Sequence, residues 1–357
     1  MRILVAWPGH STSTLDVSEG YSHALRAMGH EVSNYDYHTR LAFYGDVLSY
    51  WEGQGTGYKA TTSDALLLAS ESLAIEAVDF VPDVVLLVCG LSYPWRAYQL
   101  LHRLSIPVAL LLTESPYADP FQSEVAKNGK VGLVFTNDLA SVSFLRSETA
   151  LPVEYLPHSY DPIKHYPRRV PAEYASDVYF FGTWWPERRA MLEPLYASQN
   201  GHHFDLGGIQ PINTDRPADL LNNIELARRY SGTKIAVNHH RTIKSKDASD
   251  QDELEFYPIE EHIQPGEAYS LGPRAFEIAA CGAFQLCDNT RPELSEVFGE
   301  TVPTYADGAD LVDKVHYFLQ HPEQRLAHAE EARRRVQACS FEHRAREILL
   351  PAIERHL

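Results

Sequence analysis

The stretch Ser270-Leu271-Gly272-Pro273-Arg274-Ala275-Phe276-Glu277-Ile278-Ala279-Ala280-Cys281-Gly282-Ala283-Phe284-Gln285-Leu286-Cys287-Asp288 carries the densest signal in the chain. Gly272-Pro273 predicts a helix N-terminus, because proline at the first helical position loses no hydrogen bond. Gly282 ends that helix, and the apolar run Ala283–Cys287 predicts a strand that runs out at Asp288. The start of a helix attracts an anion such as a diphosphate. Arg274 and Glu277 are three residues apart and share one helix face. Arg274 is thus placed to bind a diphosphate, and Glu277 to accept hydrogen bonds from ribose hydroxyls.

The same helix-then-strand rhythm extends outward in both directions. In the second half, Asp177–Phe181 reads as a strand, Gly182-Thr183 turns toward a helix near Pro186, and further strands fall at 202–205 and 234–237. In the first half, strands are predicted at Ile3–Trp7, Glu31–Tyr35, Asp83–Val88, Val108–Leu112 and Val131–Phe135. Helical segments of 10–20 residues separate them, at Ser13–Met28, 60–78, Trp95–Leu104 and onward from Asp138. Strands spaced by helices predict parallel sheets covered on both faces. The fold class is therefore α/β, with two tandem Rossmann-like doubly wound domains and an interdomain cleft. The expected domains are 1–155, a proline-rich linker over 156–176, and 177–340. Residues 341–357 are a C-terminal helix able to pack back on the first domain. Residues 242–268 hold eight acidic and few apolar residues and read as a loop insertion.

Composition sets outer bounds. The 357 residues give room for two domains of about 150, and 44% apolar with 22% charged residues excludes a disordered chain. A net charge of −17 argues against gripping nucleic acid through the overall field, and leaves only a local basic groove. Cys89, Cys281, Cys287 and Cys339 are scattered with no CxxC pair. They read as reduced thiols in a cytoplasmic protein, with no zinc site from cysteine alone. The apolar start Ile3–Trp7 is too short for a signal peptide, and no run of about 18 apolar residues predicts a membrane span.

In open parallel sheets ligands bind beyond the carboxyl ends of the strands, so the residues after each strand are the site candidates. His10 follows the first strand in Pro8-Gly9-His10. Glu114 follows Val108–Leu112 in Thr113-Glu114-Ser115-Pro116, where a carboxylate at a buried strand end is costly unless paired or used. That makes Glu114 a candidate general acid or base. Thr136-Asn137-Asp138 reads as a helix cap. In the second half, Gly182, Thr183 and Arg188 follow one strand, suited to close backbone approach and a diphosphate. Asn238-His239-His240-Arg241 follows another. Adjacent histidines on an extended chain point in opposite directions, which disfavours a shared metal. Gly53–Gly57 and Asp250-Gln251-Asp252 have no apolar strand before them and read as loops.

The pattern Arg-x-Phe-Glu-x-x-x-Cys-Gly-Ala followed by a strand and Asp resembles the donor-binding segment of group 1 glycosyltransferases, of the type found in CgeB-like spore-maturation proteins. Asp177–Thr183 with Arg188, the linker from Leu156-Pro157-His158 to Pro167, and the helices after Tyr305 fit the same pattern. The resemblance covers about 170–350. It implies the GT-B fold and transfer of a sugar, a hexose first, from a nucleoside diphosphate sugar to a hydroxyl acceptor. It further implies donor binding by Gly182, Thr183, Arg188, His240, Arg274, Phe276 and Glu277, with a UDP-sugar as co-substrate and no metal. His10, Tyr93 and Glu114 are then the acceptor-side residues, with Glu114 and His10 catalytic. The acceptor can be a polysaccharide, a small molecule or a hydroxymethylated DNA base. Many relatives carry two glutamates eight positions apart; here Tyr269 stands eight before Glu277. A sugar-nucleotide epimerase of the same fold and a non-catalytic sugar-nucleotide binding protein are the alternatives.

Overall fold

The computed structural model describes residues 1–8, 14–55, 57–114, 116–183, 186–208, 222–241 and 268–357. These divide into two units, one of residues 1–157 with 341–357, the other of the described residues between 158 and 340.

The first unit runs β1 (Arg2–Ala6), α1 (Leu15–Ala27), β2 (Glu31–Tyr35), α2 (Tyr37–Gly53), α3 (Thr62–Phe80), β3 (Val84–Val88), α4 (Trp95–Arg103), β4 (Val108–Leu112), α5 (Asp119–Gly129), β5 (Leu133–Thr136), α6 (Ser141–Thr149) and β6 (Val153–Tyr155). The strands form one parallel sheet in the order β2-β1-β3-β4-β5-β6. Both faces of its central strands are buried, which is why Val84–Val88 and Val108–Leu112 are unbroken apolar runs. α2 lacks a clean apolar stripe, buries only Tyr37 and Leu41, and was not legible as a helix.

The two faces of this sheet are covered differently. Leu4, Val85, Leu87, Leu110 and Leu112 pack against residues of α3, α4, α5 and α6. On the opposite face Ile3, Val5, Leu86, Leu111 and Phe135 pack against α1 and residues from 341–357. That last segment comprises α13 (Phe341–Arg344), a π-helical turn (Ala345–Leu349) and α14 (Leu350–His356). Phe341 meets Tyr21 edge-on at 4.9 Å, and a side chain at Gly20 would overlap the Phe341 ring. His356 bonds Glu154 at 3.1 Å. The chain's last residues thus complete a layer that the first 157 residues leave half covered.

The second unit runs from the 158–175 segment into β7 (Ser176–Phe181), α7 (Pro186–Ala197), β8 (Phe204–Gly207), α8 (Asn223–Gly232), β9 (Thr233–Asn238), α9 (Pro273–Ala280), β10 (Gln285–Asp288), α10 (Glu293–Phe298), β11 (Thr304–Tyr305), α11 (Gly308–Gln320) and α12 (Pro322–Val336). Its parallel sheet has the order β11-β10-β9-β7-β8. The segment 158–175 is tied in at Tyr160, which bridges to Ser340. Both sheets place their second strand on one side of the first and their third on the other, so each has a switch point beside its first strand.

Phe341→Ala should therefore destabilise the first unit by about 3–5 kcal/mol, the range for a buried aromatic truncated in a core. Hydrogen exchange should show early loss of protection in β1, β4 and β5. An unchanged melting temperature and exchange pattern would contradict this role for the C-terminal segment.

Candidate functional site

In the second unit the switch point lies between β7 and β9, and the residues leaving those strands gather there. Gly182 follows β7. Gly208 follows β8 with φ +147, and a Cβ on it would overlap the Gly182 carbonyl, so only glycine allows this approach. Arg188, on α7, donates from Nε to the His239 carbonyl at 2.9 Å and from Nη1 to the Thr183 carbonyl at 2.8 Å. One planar guanidinium thus ties the loop after β7 to the loop after β9.

The two histidines after β9 take different partners. His239 Nδ1 lies 3.0 Å from the Tyr305 hydroxyl, which donates to the Asn238 carbonyl at 2.9 Å. Burial pushes the His239 pKa down to about 4, against the pull of the Asp288 carboxylate. His240 Nδ1 lies 2.8 Å from Asp288 Oδ2, and its backbone N–H donates to the same oxygen at 2.6 Å. Burial alone would raise the Asp288 pKa; the His240 ring, its hydrogen bond, His239 and Thr290 instead hold it far below the usual carboxylate range.

Ligand atoms of His240, Cys287 and Asp288 lie within 4.8 Å of one another, one such set among the described residues. They are already joined to each other by hydrogen bonds, and burial raises the Cys287 thiol well above its ordinary value. A metal would have to displace the Asp288–His240 bond and ionise that thiol. The chemistry of this set fits a hydrogen-bonded cluster better than a metal centre.

α9 begins beside this cluster. Gly272 occupies its N-cap without a side-chain cap, and Pro273 takes the first turn. Glu293 fixes the approach to it by accepting from Leu271 N–H at 2.6 Å. A Cβ on Gly272 would sit 3.5 Å from His240 Cδ2 and 3.8 Å from His240 Nε2. One turn on, Arg274 pairs with Glu277 and donates to Asn223 Oδ1 at 3.0 Å. Glu277 is only 4% exposed. Burial opposes its ionisation, yet Arg274, His165 and His158 lower its pKa on balance. Burial pushes His158 down to about 4, with Glu277 opposing. His158 and His165 belong to the proline-rich segment, so that segment supplies side chains to the Glu277 environment.

In the first unit Glu114 lies just beyond β4. Its backbone N–H donates to Gln122 Oε1 at 3.3 Å, and Gln122 Nε2 donates to Asp119 Oδ1 at 3.0 Å. The Glu114 charge adds to burial in raising Cys89, at the end of β3, to about 12. Asn137 donates to the Thr113 carbonyl at 3.0 Å, and Asp138 accepts from Ala140 N–H at 2.9 Å as a turn before α6. Asp119 is fully buried, and burial pushes its carboxyl up to about 7, with the Ser141 hydrogen bond opposing and the Asp138 charge adding.

Two expected site residues are core residues instead. Tyr93 is 5% exposed, stacks on Tyr37 at 4.0 Å and donates to the Trp7 carbonyl at 2.6 Å, so its hydroxyl is committed inside the first unit. Phe276 is 0% exposed and packs with Phe298 and Leu294 in the core of the second unit. His10 and the Asp250–Asp252 loop lie outside the described residues. Asp119, Glu293, Gly208 and His165 were not singled out from sequence, and Asp288 was read only as the end of its strand and of the motif. Asp288 carried a usable signal, since it is a carboxylate ending an apolar strand, as Glu114 nearly is.

Residues 183–350 match the glycosyl transferase-like family. The chain is also similar to the spore protein CgeB of Bacillus subtilis (strain 168). The two are 23% identical over 299 residues, covering 79% of this chain and 87% of the relative. Among solved structures, the α,α-trehalose-phosphate synthase (UDP-forming) of Burkholderia vietnamiensis matches with a TM-score of 0.58 at 10% identity, over 99% of this chain and 100% of that one. The UDP-GlcNAc 2-epimerase of Neisseria meningitidis, bound to UDP-GlcNAc, matches with a TM-score of 0.56 at 13% identity, over 99% and 100%. The fold is GT-B, shared with these structures, and residues 183–350 carry the match to the glycosyl transferase-like family.

The Asp119 carboxyl gives a pH prediction for the first unit. It ionises near 3.8 when unfolded and near 7 when folded, so the folded state holds an extra proton between those values. Stability contributed by this group is therefore complete below about pH 4 and falls away as pH rises toward 7. Asp119→Asn keeps an oxygen for Gln122 and should flatten that slope by a few kcal/mol at most. Denaturation midpoints from pH 4 to 8 check this, and identical slopes in both proteins would contradict it.

Proposed function

We propose that the protein transfers a sugar, a hexose first, from a nucleoside diphosphate sugar to a hydroxyl acceptor, with a UDP-sugar as the leading donor. One observation carries the reading. A helix N-terminus without a side-chain cap carries a buried ionised glutamate in its second turn, and beside its Gly272 cap lies a buried histidine with no partner at Nε2 among the described residues. In this reading the start of α9 and His240 face the diphosphate, and Glu277 accepts from the ribose hydroxyls. Arg274 holds the Glu277 carboxylate in place and adds positive charge. Gly182 and Thr183 let the donor approach the backbone after β7, and Arg188 fixes that loop. The UDP-forming synthase and the UDP-GlcNAc-bound epimerase share this fold, which supports the choice of uridine.

On the acceptor side we assign Glu114, just beyond β4, as the base or the positioning group for the hydroxyl, with His10, which lies outside the described residues, as the second candidate for that role. Polysaccharide, small molecule and hydroxymethylated DNA base remain the acceptor classes. The epimerase reading uses the same donor contacts. A product with altered sugar and no acceptor would select it over transfer. We place the protein in the cytoplasm, a reading supported by four buried cysteines that form no disulfide among the described residues. No described helix is long and apolar enough to cross a membrane.

Two outcomes are expected. Glu277→Gln should weaken UDP binding in calorimetry by about 1–3 kcal/mol, the scale of a hydrogen bond to a charged group, with the melting temperature nearly kept. Unchanged affinity would remove Glu277 from the site. Transfer should also persist in excess chelator, since the start of α9 and the nearby arginines supply the positive field. Loss of activity restored by manganese or magnesium would overturn that.

A further inference from the structure

His240 is fixed along one edge and open along the other. Asp288 Oδ2 accepts both its backbone N–H and Nδ1. Asp288 Oδ1 is filled from the other side by the Thr290 N–H at 3.1 Å and by the Thr290 hydroxyl. An ionised carboxylate has no proton to give, so the proton in the Asp288–His240 bond sits on Nδ1. The ring's remaining atom for recognition is Nε2. It is buried with no hydrogen-bond partner among the described residues, in a side chain that is 6% exposed. Gly272, the N-cap of α9, lies beside it.

A buried polar atom without a partner is costly, and here it adjoins the positive end of a helix. We infer that Asp288 is a positioning residue for the donor's phosphates. It locks the His240 ring with Nδ1–H inward and Nε2 toward an anion at the start of α9. With a second proton on Nε2, the ring is a cation whose charge Asp288 balances, and Nε2–H donates to a phosphate oxygen. The other ionisable groups facing this pair include His239 just after β9, Cys287 from β10, Arg291 beyond β10, Tyr305 from β11 and His158 from the proline-rich segment. None of them takes the Nε2 position. The assignment rests on the donor reading above and extends it, since it gives the diphosphate a recognition element that the uridine does not share.

The experiment compares UDP, uridine and inorganic pyrophosphate by calorimetry on the full chain, in wild type, Asp288→Asn, His240→Gln and the double variant. We expect Asp288→Asn and His240→Gln each to weaken UDP and pyrophosphate by roughly tenfold or more while leaving uridine unchanged. The double variant should lose little beyond either single one, because the two residues act as a unit. Imidazole nitrogen NMR should report Nδ1–H for His240 in the wild type, a proton on both nitrogens with UDP bound, and loss of the fixed tautomer in Asp288→Asn. Gly272→Ala, whose methyl fits at van der Waals distance from the ring, gives a variant that folds and should lower UDP without lowering uridine. Equal losses for UDP and uridine, additive single effects, or an Nε2–H tautomer in the free wild type would overturn the inference. Failure of wild type to bind any nucleoside diphosphate would overturn the donor reading itself, a different result from normal UDP binding in both variants.

Discussion

The second unit is organised around a buried charge. Asp288 ends β10 inside the protein, where a carboxylate without partners would cost several kcal/mol. It is kept by donors on both sides, the His240 backbone and ring on one oxygen and Thr290 on the other. These bonds require β9 and β10 to end side by side, and the pairing of Leu286 with Val237 and Cys287 with Asn238 sets that register. A slip by one residue would turn Asp288 to the opposite face of the sheet and strand His240. The core of this unit and the geometry of its site are therefore specified by the same alignment.

Arg188 has the equivalent role between β7 and β9. Its two bonds to carbonyls after those strands span the place where the sheet's connections diverge, and Gly208 lets the β8 exit close against Gly182. Residues read from sequence as direct ligands thus divide into two kinds. Arg188 and Arg274 are held by protein oxygens and shape the site. His240 keeps Nε2 without a hydrogen-bond partner among the described residues, beside the Gly272 cap of α9. The first unit follows the same architectural logic with a different solution for its second face, which is closed by residues 341–357, late in sequence, instead of by another crossover helix.

Much of this was legible because strand, helix and glycine signals agreed with one another. Val84–Val88, Val108–Leu112 and the Gly272–Asp288 stretch gave their elements to within two or three residues, since long apolar runs and a Gly-Pro helix start leave little choice. α2 was not legible, because its aromatic residues are spread around the helix and most stay exposed. Tyr93 and Phe276 were misplaced for one reason: sequence gives the strand or helix on which a residue lies but not the direction of an aromatic ring once packed. Asp119 and the pairing of Asp288 with His240 depend on contacts between segments far apart in the chain. Local pattern does not encode such contacts, although a carboxylate closing an apolar strand does flag where one is needed.

The central claim is that a nucleoside diphosphate seats at the ends of β7 and β9 and the start of α9. Hydrogen–deuterium exchange of the full chain with and without saturating UDP tests it most directly. The account predicts new protection at 182–183, 239–241 and 271–277. Protection confined to the first unit, or none at these three segments under saturating UDP, would contradict it.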